Sequence, residues 1–298
     1  MTMLRGCGTA IVTPFLDGGR IDEPALSAFV AWQAEEGIDF LVPCGSTGEA
    51  QTLDDGERAR VVQLTVAAAR GRVPIVAGAT HNDTRRAVEE TKRMCDAGAD
   101  FILSACPYYN KPTQDGLRRH FEAVAEASSR PVVLYNVPGR SGVNLLPVTT
   151  AALARHERIV AIKEASGDMH QALELLRVRP PGFCILSGDD WMALPLVACG
   201  GDGLISVAAN ELPGPMSRLV RHALAGELAE ARRLQGELMP LLDANFLESN
   251  PIPVKGALAL MGRIRNVLRL PLVPAAPATL ERLAAELMRL GIPVRLHD

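Results

Sequence analysis

Short apolar runs alternate with longer amphipathic stretches along most of the chain. Runs of strand length lie at residues 8–13, 39–43, 74–79, 101–105, 131–135, 159–163, 183–186 and 203–207. Helical periodicity fills the intervals, for instance over 23–36, 54–69, 83–97 and 114–128. Eight strands with helices between them and no break in composition predict an α/β fold, a closed parallel (β/α)8 TIM barrel. The competing arrangement is a doubly wound open sheet, but no dinucleotide-type glycine fingerprint follows an early strand. Beyond Asn210 the strand pattern stops, and residues 211–225, 227–243, 253–261 and 278–290 read as helices. The predicted organisation is a barrel over 1–225 and a C-terminal helical extension over 226–298.

Composition acts mainly by exclusion. A net charge of −3 leaves no basic run for nucleic acid. No apolar stretch approaches the roughly 20 residues of a membrane span, and the N-terminus lacks a charged leader followed by an apolar block, so a cytoplasmic protein is expected. The six cysteines are scattered without C-x-x-C spacing and are expected to be free, buried thiols in a reducing compartment. The histidines show no metal-ligand spacing, so neither a metal nor a bound cofactor is expected.

Lysine changes the picture. Nearly all basic residues are arginine, and the lysines are Lys92, Lys111, Lys163 and Lys255. Lys163 lies in Ile159-Val160-Ala161-Ile162-Lys163-Glu164-Ala165, which reads as a buried strand. A buried ammonium is costly, so such a lysine is either paired with a carboxylate or shifted towards the free amine. The free amine is what attacks a carbonyl to form a Schiff base. Side chains alternate along a strand, so an inward Lys163 shares its face with Ala161 and Ala165 while Glu164 points away. That leaves room for a small substrate and removes the adjacent carboxylate as partner. Tyr135, one strand away, is placed either to relay protons near the amine or to bond a carbonyl in the core.

In a barrel the functional end is the C-terminal end of the strands. The polar clusters fall there: Gly45-Ser46-Thr47-Gly48-Glu49, Pro107-Tyr108-Tyr109-Asn110-Lys111-Pro112, Tyr135-Asn136-Val137-Pro138-Gly139-Arg140 and Ser187-Gly188-Asp189-Asp190. All three tyrosines belong to them. The amides of the Gly45–Glu49 turn suit a carboxylate, although a capped turn has the same sequence. Arg140 is either a bidentate carboxylate clamp or a solvated loop arginine. Gly200-Gly201-Asp202-Gly203 reads better as a tight strand entry at the barrel's other end than as a phosphate cradle.

The ordered motifs G-S-T-G-E, P-Y-Y-N-K-P, Y-N-V-P-G-R-S-G, I-K-E-A-S-G, S-G-D-D, G-G-D-G-L-I-S-V-A-A-N and N-P-I-P-V-K, spread over about residues 5–275, resemble the dihydrodipicolinate synthase family. That family belongs to the pyruvate-dependent N-acetylneuraminate lyase group of class I aldolases. The resemblance implies that Lys163 forms an imine with pyruvate, with no metal or cofactor. It implies a proton relay of Thr47, Tyr135 and Tyr109, the last crossing from a neighbouring subunit of a homotetramer built from dimers. Backbone groups of Ser46 and Thr47 would hold the pyruvate carboxylate, and Gly188 and Ile205 would line the pocket through main-chain atoms. Arg140 would bind the carboxylate of aspartate semialdehyde, the second substrate, in lysine and diaminopimelate biosynthesis.

Two departures bear on this expectation. Ser46 stands where the synthase usually has threonine, and serine also occurs in lyase relatives that act on 2-keto-3-deoxy sugar acids or N-acetylneuraminate; Arg140 favours a short acidic aldehyde. Regulated relatives resemble this chain at Asn82 and Tyr108, but carry histidines at the positions of Asp55 and Arg58 and an acid at that of Arg86. An arginine there repels a lysine cation, so inhibition by lysine in a turnover assay is expected to be weak or absent. A catalytically dead barrel that senses a small acid is the alternative from another functional class, and the complete Lys163, Tyr135, Thr47 and Tyr109 set argues against it.

Overall fold

A computed structural model describes residues 3–295. Eight parallel strands, β1 (Gly6–Thr9), β2 (Phe40–Leu41), β3 (Val76–Gly78), β4 (Phe101–Ala105), β5 (Val132–Asn136), β6 (Ile159–Glu164), β7 (Cys184–Ser187) and β8 (Gly203–Ser206), lie in the order β2-β1-β8-β7-β6-β5-β4-β3. A parallel bridge between Leu41 and Ile75 joins the two ends and closes the ring. The closure needs Gly78: a Cβ there would lie 2.0 Å from the Cys44 carbonyl oxygen.

The helices between the strands are α1 (Glu23–Glu35), α2 (Asp55–Ala69), α3 (Thr84–Asp96), α4 (Gln114–Ala127), α5 (Pro138–Ser141), α6 (Pro147–Leu153), α7 (Met169–Val178) and α8 (Ala193–Ala198). Capping residues fix several starts. Asp54 and Glu57 form a reciprocal capping box on α2, and Asp83 and Thr113 accept from first-turn amides of α3 and α4. After β8 come only helices: α9 (Pro213–Leu224), α10 (Leu228–Ala244), α11 (Ile252–Leu260) and α12 (Pro277–Arg289).

Two hydrophobic layers hold the barrel. Outward strand residues such as Leu134, Ile162 and Ile185 pack under the helices, while Phe40, Val42, Leu103, Val133, Ala161, Leu186 and Ile205 fill the interior. Alternation along β6 therefore decides which chemistry faces the barrel axis.

The structure corrects some expected boundaries. The first strand, expected over 8–13, begins two residues earlier and ends sooner, at Gly6–Thr9. Residues beyond it stay buried but split their bonds, Ala10 N–H donating to Ser206 O and Ile11 N–H to Val42 O, so apolarity outlasts the ladder. Of the six cysteines, all free, five are buried, but Cys199 is exposed. It caps the end of α8, where the chain turns into Gly200 and Gly201.

Candidate active site

The two buried lysines differ in their partners. Lys255, fully buried on α11, sends Nζ to Glu49 Oε1 at 2.5 Å and to the Thr13 carbonyl at 3.0 Å. Lys163, 5% exposed on β6, makes no ion pair among the described residues. Its Nζ instead lies 4.4 Å from the centroid of the Tyr135 ring, the register partner on β5. The parity reading holds: Ala161, Ala165 and Tyr135 share the inner face with Lys163. Glu164 points outward, accepting from Asn136 Nδ2, Ser166 N–H and Gln171 Nε2.

Around the amine is a chamber of about 60 Å3, walled by Ser46, Thr47, Tyr135, Arg140, Lys163 and Gly188, among others. It adjoins a cavity of about 350 Å3 that shares Gly45, Ser46, Tyr135, Arg140 and Asn250. Gly188 must be glycine, because a Cβ would approach Lys163 Cε to 2.9 Å and Ala165 Cβ to 2.6 Å. Thr47, on the turn after β2, is buried and accepts from Asn250 Nδ2 at 2.9 Å. The same turn is closed by Gly48 N–H on Gly45 O and Glu49 N–H on Ser46 O. Arg140, on α5 rather than in an open loop, sends Nη2 to the Asn250 carbonyl at 3.0 Å.

Two residues stand apart from these walls. Ile205 is fully buried in the inner layer, paired with Gly8. Tyr109, held at φ +74°, is 88% exposed, with its amide on the Ser141 carbonyl.

Burial shifts several groups around these cavities. Burial raises the Asp189 carboxyl to about 6; Lys163 opposes the shift, and Asp190 and Glu164 add to it. Asp190 is also raised by burial and is tied down by the Ser206 hydroxyl and the Val207 and Ala208 amides. Cys44 and Cys106 line the larger cavity, but burial pushes both thiols up to about 12, which leaves them protonated and poor nucleophiles. At the opposite end of the barrel, the Asp202 carboxylate accepts from Ile185 N–H and pairs with Arg179. The Gly200–Gly203 segment is thus a strand entry, as its sequence suggested.

Residues 3–290 match the model of the dihydrodipicolinate synthetase family. The chain belongs to that family. It is 53% identical over 287 residues to the 4-hydroxy-tetrahydrodipicolinate synthase of Koribacter versatilis, an alignment covering 95% of this chain and 96% of the relative. The crystal structure of dihydrodipicolinate synthase from Thermotoga maritima superposes with a TM-score of 0.96 at 41% identity, covering 98% of this chain and all of that one. A monomeric dihydrodipicolinate synthase variant gives a TM-score of 0.96 at 41% identity, covering 97% of this chain and 98% of its own.

As a member of the synthetase family, the chain shows its departures in place. Arg58 and Tyr108 line the larger cavity, and Arg58 Nε donates to the Ala50 and Leu53 carbonyls. Asp55 pairs with Arg93 at 2.9 Å. Among the described residues, no group of three or more His, Cys, Asp or Glu side chains is arranged to hold a metal ion, and no helix is long and apolar enough to cross a membrane. Sequence reasoning missed Asn250 and Asp189 on the chamber wall and the Lys255–Glu49 pair beside it. Asn250 and Lys255 are the two ends of N-P-I-P-V-K, a motif that by sequence alone carries no chemical role. Asp189 lies within the polar cluster Ser187-Gly188-Asp189-Asp190.

Proposed function

We propose that the protein is a 4-hydroxy-tetrahydrodipicolinate synthase, condensing pyruvate with L-aspartate-4-semialdehyde through an imine on Lys163. The observation that carries this reading is a buried lysine without a carboxylate partner among the described residues, facing a chamber it shares with Tyr135 and Thr47. The Lys163 amine adds to the pyruvate carbonyl and water leaves, giving the imine. Loss of a methyl proton converts it to an enamine, whose carbon attacks the aldehyde and leaves a hydroxyl. The amino group of the second substrate then adds to the imine carbon and displaces Lys163, closing the ring. Tyr135 and Thr47 move the protons, and the amides of Ser46 and Thr47 hold the pyruvate carboxylate. Gly188 gives the lysine side chain room, and in this reading Gly188 and Ile205 offer main-chain atoms to the substrate. No step calls for a metal or a bound cofactor.

Arg140, between chamber and cavity, binds the carboxylate of the aldehyde substrate in this reading. The test is steady-state turnover of pyruvate with aspartate semialdehyde, for wild type beside Arg140→Ala. Wild type is expected to form the cyclic product, and the variant to lose about 10²-fold in kcat/KM for the aldehyde, with little change in KM for pyruvate. A wild type that forms the pyruvate imine but no cyclic product, and cleaves a 2-keto-3-deoxy sugar acid instead, would move the activity to the lyase branch.

Tyr109 completes the relay of a neighbouring copy in a homotetramer built from dimers. Its 88% exposure and its position off the chamber wall support that placement. Dilution or interface mutation that yields monomers is expected to remove most turnover. A monomer with full activity would refute the crossing.

A further inference from the structure

We infer that Asn250 is a positioning residue of the proton relay: its amide fixes the direction in which the Thr47 hydroxyl gives up its proton. This rests on the proposed function and adds to it a residue from outside the barrel strands. Asn250 lies just before α11, 6% exposed, and lines both the chamber and the larger cavity. Its Nδ2 donates to Thr47 Oγ1 at 2.9 Å, a contact between residues 203 positions apart. Its Oδ1 is buried without a partner among the described residues. Its main-chain carbonyl receives Arg140 Nη2 at 3.0 Å.

The chemistry follows from the inventory of a hydroxyl. Oγ1 has one proton to give and two lone pairs to accept with. A donor amide occupies one lone pair and supplies nothing that can take the proton. Thr47 is left with one donor and one acceptor, both free for the chamber. That is the polarity a relay needs, with a proton accepted on one side and one passed on at the other. A free threonine hydroxyl rotates among staggered positions, and in many of them its proton points away from the reacting group.

The support behind Asn250 is unusually firm. Five residues on, the other end of the same motif places Lys255 on Glu49 Oε1, at the far end of the turn that carries Thr47. Asn250 and Lys255 therefore grip one turn at two points. Neither contact is available to the barrel strands, so this gives the segment following α10 a part in the reaction.

The test uses Asn250→Ala, Asn250→Asp and the same two changes in a Thr47→Ala background. Two readouts need pyruvate alone: borohydride trapping of the imine, and exchange of the pyruvate methyl protons with deuterated solvent. Wild type is expected to trap the imine and exchange. Asn250→Ala should still trap it, with methyl exchange and kcat down by about 10²-fold and KM for pyruvate nearly unchanged. Asn250→Asp should be slower still, because an ionised carboxylate only accepts and so captures the Thr47 proton. With Thr47→Ala the difference between the two variants should vanish, since there is no hydroxyl to misdirect.

A merely structural Asn250 predicts the reverse order, because the near-isosteric aspartate preserves packing better than alanine. That order would overturn the inference. So would an Asn250→Asp loss of equal size with and without the Thr47 hydroxyl, which would assign it to charge repulsion. An Asn250→Asp enzyme as active as wild type would place Oδ1, not Nδ2, on the hydroxyl and would also overturn it. Failure of wild type to trap any imine would instead remove the proposed function, and this inference with it.

Discussion

Lys163→Ala is expected to abolish turnover, with a loss on the order of 10⁴-fold or more, while the protein remains folded. The chemistry requires an amine at one position. Lys255, the other buried lysine, is held by Glu49 and the Thr13 carbonyl, and faces the Phe15 ring rather than the chamber. Lys163→Arg should be equally inactive, because a guanidinium does not deprotonate in proteins and cannot form the imine. Stability should move the other way. A lysine that is 5% exposed and makes no ion pair among the described residues gains little from its polar end, so an apolar isostere such as Lys163→Met is expected to melt at the same or a higher temperature. Intact-mass analysis after pyruvate and borohydride, beside thermal unfolding, measures both. A trapped adduct on Lys163→Ala would place the imine elsewhere, and marked destabilisation of Lys163→Met would mean that the lysine serves packing.

How far the sequence carried this assignment depends on the range of the contact. The face of Lys163 follows from alternation over a few residues, and Ala161, Ala165 and Tyr135 stand where that alternation put them. The four C-terminal helices fell within one or two residues of their expected limits, because periodicity and proline at the helix start are local signals; Pro213 and Pro277 both open their helices. The end of β1 was less legible, since Ala10, Ile11 and Val12 are as apolar as the strand but bond to different neighbours. The contacts that complete the site were not legible. Thr47 meets Asn250 across 203 residues, and Glu49 meets Lys255 across 206. Nothing local marks Glu49 as buried: it follows glycine in a polar turn and takes a left-handed φ of 53°. A hint lay in the Lys255 neighbourhood, where Ile252, Pro253, Val254, Gly256 and Ala257 leave a lone charge in an apolar helix.

Breaking that second lysine's ion pair should produce the largest loss of stability of any single substitution near the site. Both side chains are 0% exposed, and each has further bonds: Lys255 to the Thr13 carbonyl, and Glu49 Oε2 from the Arg269 amide at 3.0 Å. Glu49→Ala leaves an ammonium buried against Phe15 with no counter-charge, and Lys255→Met leaves a carboxylate with one amide. Removing one partner of a buried pair costs about 3–5 kcal/mol, so each variant should show a clearly lowered denaturant midpoint. The double variant Glu49→Gln/Lys255→Met removes both charges and retains most of the volume. It should therefore be more stable than either single variant, because what the singles lose is mainly the cost of an uncompensated charge. Activity need not follow stability. The pair sits two residues from Thr47, at the end of the turn that carries the relay, so the double variant can recover its midpoint while its kcat stays low. A double variant no more stable than the singles would show that the pair's worth lies in its geometry rather than in charge compensation. One with both stability and kcat restored would free the turn from any dependence on α11 through this contact.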